Sequence, residues 1–443
     1  MLTRCNSTSV TERDACVLVG DASFPSPFPC GLEYAAPARG TWNIVHTGML
    51  IPEIHEIFVC AAGCLRGVVL TAAEMNASHR FSTIAVRENN VLEGDMESLM
   101  IDGVADILQK LPARPPAVLL YTSCIHHFIG CDLNFVYQTL REKFPDVAFA
   151  DCYMNPILRK SGLTPDQLMR RQLYSLLLPR EINPKSVNII GNNLPTDETS
   201  ELVQMLRTGG FTLRDITRCS TYADYQKMAE SALNITYHPA AAPAGDALSQ
   251  RLSQRHLSLP LCYGYDEIAR NLSTLAVALG MEAPDPAPRI AACEAALSAA
   301  LSVIGNAPIA LDYTATMRPL GLARLLLSHG FHVQRIYLDS ITPEEKEDFD
   351  WLRTNAPSLL FYATVQVKLR VLPRRTAEKT LAIGQKAAYF TGTDYFVNIV
   401  EGGGMYGFDG ICRMAQQMQS AFLHAKNAKN LIQLKGLGCG CCV

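Results

Sequence analysis

Three of the fifteen cysteines, Cys30, Cys64 and Cys124, sit in contexts that suit them as thiolate ligands of one buried iron–sulfur cluster. Each stands where an apolar run gives way to a loop: Phe28-Pro29-Cys30-Gly31, the stretch Cys60 to Leu65 (CAAGCL) and the stretch Leu119 to Ile125 (LLYTSCI). A cluster shared between two chains can draw three thiolates from each, so an odd count within one chain is chemically sensible. None of the three belongs to a CxxC pair or a ferredoxin-type run, so spacing alone is weak support. Cysteines that merely fill a core are the competing reading.

Thiols this far apart in sequence need a scaffold that gathers loop ends. Parallel α/β sheets do so, because ligands bind at the carboxyl ends of their strands. The pattern strand, loop, helix recurs along the chain. Ala117 to Tyr121 precedes the helical stretch Leu133 to Lys143, and Ser186 to Ile190 runs through Gly191-Asn192-Asn193 toward a helix over Glu198 to Thr208. It returns at Pro308 to Leu311 with Leu320 to Ser328, at His332 to Leu338 and at Ser358 to Ala363. The expected fold class is therefore α/β, with three Rossmann-like domains whose parallel sheets are flanked by helices. Boundaries near 180 and 303 give domains 1–180, 181–302 and 303–443, the first binding the cluster and the last ending in a helix, Ile411 to His424, and a cysteine-rich tail. The Pro/Ala-rich stretches Pro239 to Gly245 and Met281 to Pro288 read as loops.

With 443 residues, 48% hydrophobic and 18% charged, the chain can bury a large core. A net charge of −3, with basic residues scattered rather than striped, argues against nucleic acid as a partner. The opening MLTRCNSTSVTERD lacks a signal-peptide core, and no uninterrupted apolar run reaches membrane-span length, so a cytoplasmic protein is expected. A reducing compartment makes disulfides an improbable use of so many cysteines and leaves metal or redox chemistry. Cys16, Cys219, Cys293 and Cys412 read as small buried hydrophobes. The glycines contain neither a GxGxxG nor a GxxxxGK[ST] pattern. Gly402-Gly403-Gly404 reads either as backbone packed against something large and flat-sided or as a tight turn before the last helix.

The segments IPEIHEIFVCAAGC, ending at Cys64, and YTSCIHHFIGCDLN, from Tyr121 to Asn134, resemble the cluster-binding segments of the nitrogenase component 1 family. That family includes the molybdenum–iron protein subunits, their cofactor-assembly scaffolds and the dark-operative protochlorophyllide and chlorophyllide reductases. Its early-loop cysteine falls on Cys30. The cysteine ending an HGPxGC-like motif falls on Cys64, after Gly63, and that of the TxCxxxxIGDDLN-like stretch falls on Cys124, with Ile129, Gly130, Asp132, Leu133 and Asn134 following. Cys131 stands where the family usually has Asp. Tyr406 to Gly410 (YGFDG) and Met317-Arg318-Pro319 are similar to further family segments.

The resemblance implies a subunit of a nitrogenase-like two-component reductase, pairing with a homologous subunit, as an α2β2 tetramer, around an iron–sulfur cluster bound by Cys30, Cys64 and Cys124. Cys60, four residues earlier, is the alternative to Cys64, and Ser161 is an additional ligand on the pattern of partner subunits. Gly31, Gly63 and Gly130 would let backbone approach the sulfides. Electrons would come from a transient, ATP-dependent iron–sulfur reductase, ATP acting only through that component. The family pattern allows a second complex metal cluster in the assembly.

Departures bear on the substrate. His238 stands about where catalytic subunits place a cofactor-binding Cys, and Val397 near their cofactor-binding His. Dinitrogen is thereby disfavoured, while tetrapyrroles and organosulfur compounds, the latter as in methylthio-alkane reductase, stay compatible. His238 is then a candidate ligand or proton donor, or a histidine capping the turn before Pro239; a partner subunit without the catalytic cofactor is the other explanation. His126 and His127, beside Cys124, are candidates for proton delivery or for packing. A non-catalytic scaffold for assembling and transferring an iron–sulfur cofactor is the alternative function. The tail cysteines Cys439, Cys441 and Cys442 have no counterpart in the family pattern.

Overall fold

The structure, a computed structural model, describes residues 11–28, 44–154, 162–364, 366, 368–369, 372, 378–428 and 431. Cys30, Gly31, Ser161 and the tail cysteines lie outside the described residues. The strand β1 (Cys16–Leu18) precedes two four-stranded parallel sheets in the chain. The first comprises β2 (His55–Ala61), β3 (Phe81–Val86), β4 (Ala117–Ser123) and β5 (Ala148–Met154), in spatial order β3-β2-β4-β5. The second comprises β6 (Asn183–Ile189), β7 (Thr212–Asp215), β8 (Ser231–Thr236) and β9 (Arg255–Ser258), in order β7-β6-β8-β9. A third sheet takes β10 (Ile309–Asp312), β11 (Val333–Leu338), β12 (Leu360–Ala363), β13 (Leu381–Ile383) and β14 (Phe396–Val397), in order β1-β12-β11-β10-β13-β14. Every pairing is parallel except that of β1 with β12. The α/β class with parallel sheets flanked by helices is thus the observed one.

By contacts the chain gathers into two compact units. Of the described residues, one contains 44–195 and 210–260, hence the first two sheets; the other contains 11–28, 196–209 and 261–431, hence the third. The sequence pattern does not reveal that β1 joins the third sheet, because antiparallel pairing of Cys16 with Tyr362 leaves no local signal.

In the first sheet β4 is buried along its whole length and β2 along all but its last residue, so both read as continuous apolar runs rather than alternating ones. Side chains still alternate between faces. Ile57 and Val59 join Val118 and Leu120 against Met100, Val104 and Leu140, while Phe58 and Cys60 join Leu119 and Tyr121 against Leu65, Val68 and Leu173. Two cores, one on each face, thereby fix the register of β2 and β4, in which Val59 pairs with Thr122.

One loop expectation is corrected, and the other holds only as far as Pro286. Pro239 to Gly245 runs through a 3-10 turn, Pro239–Ala241, into the helix Ala242–Leu252, and Ala287 and Pro288 open the helix Ala287–Ile304. In both helices proline lies within the first two positions, where the helix needs no N–H from it. The second is 18 residues long with a mean hydropathy of 1.4, by length and composition enough to cross a membrane. It is nonetheless built into its unit: Cys293, Leu297, Ala300 and Ile304 are buried, and Arg289 and Glu294 pair with Glu201 and His329.

Candidate metal centre

The site forms where β2 and β4 end. One residue past the Val59–Thr122 pair come Cys60 and Ser123, and each strand then turns into a helix, Ala62–Glu74 and Cys124–Phe128. Cys64 sits in the first turn of the longer helix and Cys124 opens the shorter, so their thiols are carried by the carboxyl ends of neighbouring parallel strands. The helix Ala62–Glu74 turns Leu65, Val68, Thr71 and Ala72 inward, which leaves Ala62, Gly63, Cys64 and Arg66 exposed. Cys124 is half-buried.

Cys60 has a different environment. It is 0% exposed and belongs to the core between β2 and the helix behind it. Burial, and then the nearby Cys64 and Cys124, push its thiol up to about 12. Of the two alternatives, Cys64 is exposed and Cys60 lies fully in the core, so Cys64 offers the accessible side chain.

The loop after Cys124 is held by its own polar groups. The Ser123 N–H donates to Nδ1 of His126 at 3.2 Å, Asp132 caps the helix Leu133–Lys143 by accepting from the Phe135 N–H at 3.0 Å, and the Asp132 N–H donates to Glu97 at 2.8 Å. Gly130 has φ +68°, a conformation that favours glycine. Cys131, where the family has Asp, is half-buried, and burial and the neighbouring Glu97 push its thiol up to about 12.

Among the described residues no three His, Cys, Asp or Glu side chains are grouped as a complete metal site. What is present fits part of a thiolate set open on one side. Two cysteines stand at the ends of neighbouring strands, a Cβ added at Gly63 or Gly130 would meet nothing within 4 Å, and Nε2 of His126 is buried without a hydrogen-bond partner among the described residues. Burial lowers the pKa of that imidazole, so it is neutral. His127 is exposed.

His238 lies elsewhere in this unit, past β8, where Nδ1 accepts from the Ala240 N–H at 3.1 Å and so caps the turn Pro239–Ala241. Beside it a hydroxyl–imidazole–carboxylate chain passes unnoticed in the sequence: Thr236 Oγ1 lies 2.9 Å from His256 Nε2, and His256 Nδ1 lies 2.9 Å from Asp246. Separations of 20 and 10 residues carry no motif. In the other unit, Val397 is buried in β14 and Arg318 is paired with Asp348 at 3.0 Å. The triple glycine is a tight turn. Gly402, Gly403 and Gly404 all have positive φ, and a Cβ at Gly403 would come within 3.1 Å of Ile399.

The family model for nitrogenase component 1 type oxidoreductases matches residues 45–423, which span both cysteine segments and the YGFDG stretch. The chain belongs to the nitrogenase component 1 type oxidoreductase family. Family members bind iron–sulfur clusters and work in multi-subunit complexes with a reductase partner. The fold agrees: a chain of the solved structure "Nitrogenase Cp1 at pH 6.5" is 13% identical with a TM-score of 0.65, the alignment covering 90% of this chain and 95% of that one. A second, "Nitrogenase Cp1 at pH 5", is 14% identical with a TM-score of 0.57, covering 89% and 90%. No curated protein sequence matches the chain significantly.

Proposed function

We infer that this chain is one subunit of a nitrogenase-like two-component reductase. In this reading it shares an iron–sulfur cluster with a homologous partner, in an α2β2 assembly, and receives electrons from a transient ATP-dependent iron–sulfur reductase. The observation that supports the reading is the placement of Cys64 and Cys124 in the first turns of the helices that follow the neighbouring parallel strands β2 and β4, Cys64 exposed and Cys124 half-buried while Cys60 is buried in the core.

Cys64 and Cys124, together with Cys30, supply this chain's thiolates. A cluster bound there supplies one-electron storage and transfer. The fold's part is to fix the ligands: the two strands set the level of the sulfurs, Leu65 and Val68 lock the helix that carries Cys64, and Ser123 and Asp132 hold the loop after Cys124. Neutral His126 offers a buried ring nitrogen as a hydrogen-bonding group beside Cys124, while Gly63 and Gly130 leave the approach unobstructed. His238 caps a turn, and no chemical role is assigned to it. His238 and the apolar Val397 in β14 stand about where the family's catalytic subunits place a Cys and a His, so the reading favours an organosulfur or tetrapyrrole substrate, or a partner subunit that carries no catalytic cofactor.

The test is anaerobic co-purification with the partner subunit, followed by iron and acid-labile sulfide analysis and EPR of the reduced complex. Bound iron and sulfide, a paramagnetic signal and their loss in Cys124→Ala are expected. Absence of iron after anaerobic reconstitution would overturn the function, and visible cluster absorption surviving in Cys124→Ala would overturn the ligand assignment.

A further inference from the structure

Cys293 and Cys412, each legible in the sequence only as a small core residue, face one another. They are 119 residues apart in the chain, on the helices Ala287–Ile304 and Gly407–Leu423. The Cys412 thiol points at the Cys293 sulfur 3.7 Å away, and the Cys293 thiol donates to the carbonyl oxygen of Phe408 at 3.2 Å. Both are free thiols; Cys293 is buried, whereas Cys412 is partly open to solvent. That asymmetry suits two successive roles, one thiol meeting an oxidant and the other resolving the product.

We propose that Cys412 and Cys293 form a reversible disulfide, Cys412 reacting with hydrogen peroxide and Cys293 closing the bond. The Cys412 sulfur attacks one peroxide oxygen, the O–O bond breaks, and Cys412 becomes a sulfenic acid as one water leaves. The Cys293 sulfur then attacks the Cys412 sulfur, the S–O bond breaks, and the second water carries away the remaining proton. Two electrons pass from the thiols to one peroxide, which ends as two waters. A dithiol reductant reverses the change by exchange. A sulfur–sulfur bond of about 2.05 Å asks the two atoms to approach by about 1.7 Å from the observed 3.7 Å.

The surroundings set the rate. Burial raises both thiols above their ordinary range; the Cys412 sulfur, then Glu201 and Glu294, raise Cys293 further, while at Cys412 the Cys293 contact and Arg289 work against burial, Asp409 and Glu201. Tyr265 packs beside them as a neutral phenol. Oxidation is therefore slow at neutral pH and quickens as the pH rises, because the thiolate is the nucleophile. The bond would tie the first turns of the helix Gly407–Leu423, and with them the left-handed turn at Glu401 to Gly404 and Gly407, to the helix Ala287–Ile304.

The experiment uses the whole reduced chain, purified anaerobically, exposed to hydrogen peroxide, unfolded with an alkylating reagent and mapped by peptide mass spectrometry, with glutathione in the same mixture as a control for oxidant strength. The expected result is a peptide linked through Cys293 and Cys412, cleaved by dithiothreitol and formed faster at about pH 9 than at about pH 7. In Cys293→Ser, dimedone should trap a sulfenic acid at Cys412, and in Cys412→Ser the thiol of Cys293 should stay reduced. The proposal is overturned if the wild-type chain keeps both thiols fully alkylatable after the glutathione has been oxidised, or if Cys412 proceeds to sulfinic acid without linking.

Discussion

Replacing Cys60 and Cys64 separately by alanine should separate stability from iron binding. Cys60 is 0% exposed, packed among Phe58, Leu65 and Val68, and its removal deletes one buried sulfur and leaves a methyl-sized void. By analogy with the loss of a single core methyl or methylene, Cys60→Ala should cost about 1–1.5 kcal/mol in the iron-free chain while leaving iron content at the wild-type level. Cys64 is exposed in a helix first turn, so Cys64→Ala should change the stability of the iron-free chain by less than about 0.5 kcal/mol yet abolish cluster loading. Urea unfolding of the iron-free variants reads the first quantity, and iron and sulfide per chain after anaerobic reconstitution with the partner reads the second. The opposite result, with Cys60→Ala losing the iron and Cys64→Ala keeping it, would refute the assignment and with it the argument that burial disqualifies Cys60.

Four further outcomes are expected. Gly63→Leu, at a position with open space around its Cβ, should leave the iron-free chain at least as stable as wild type but lower iron loading, measured by the same pair of assays. Burial pushes the Glu345 carboxyl up to about 8, from an ordinary value of 4.5, so the folded chain keeps a proton there that the unfolded chain releases. Stability should fall as pH rises from about 4.5 to about 8 and level off above that; Glu345→Gln should remove this slope in unfolding midpoints taken across the range. Arg318→Met should cost about 3 kcal/mol, since it leaves the buried Asp348 carboxylate with Arg324 alone; a loss below about 1 kcal/mol in thermal or urea unfolding would mean that the pair matters little. In Gly245→Ala the new Cβ would lie 2.3 Å from the His256 ring, displacing it from Thr236 and Asp246 at a cost of about 1–3 kcal/mol, and the double variant with His256→Ala should recover part of the loss.

Much of this protein is set by local pattern. The helix Leu133–Lys143 has the bounds its periodicity gives, and β4, β6, β10, β11 and β12 lie within a few residues of the apolar runs that announce them, because burial on both faces of a parallel strand demands continuous apolar sequence. The candidate cysteines were legible for a related reason: a loop after a buried strand is where a parallel sheet presents chemistry, and Cys64 and Cys124 follow such strands. Tertiary structure alone decided what depends on facing. Cys60 and Cys64 are four residues apart and alike in type, but the pleat of β2 turns one into the core and the first turn of the next helix turns the other out. Distance in sequence likewise hid the pairing of β1 with β12, the Thr236–His256–Asp246 chain and the approach of Cys293 to Cys412, since each arises from burying surfaces that only the folded chain brings together.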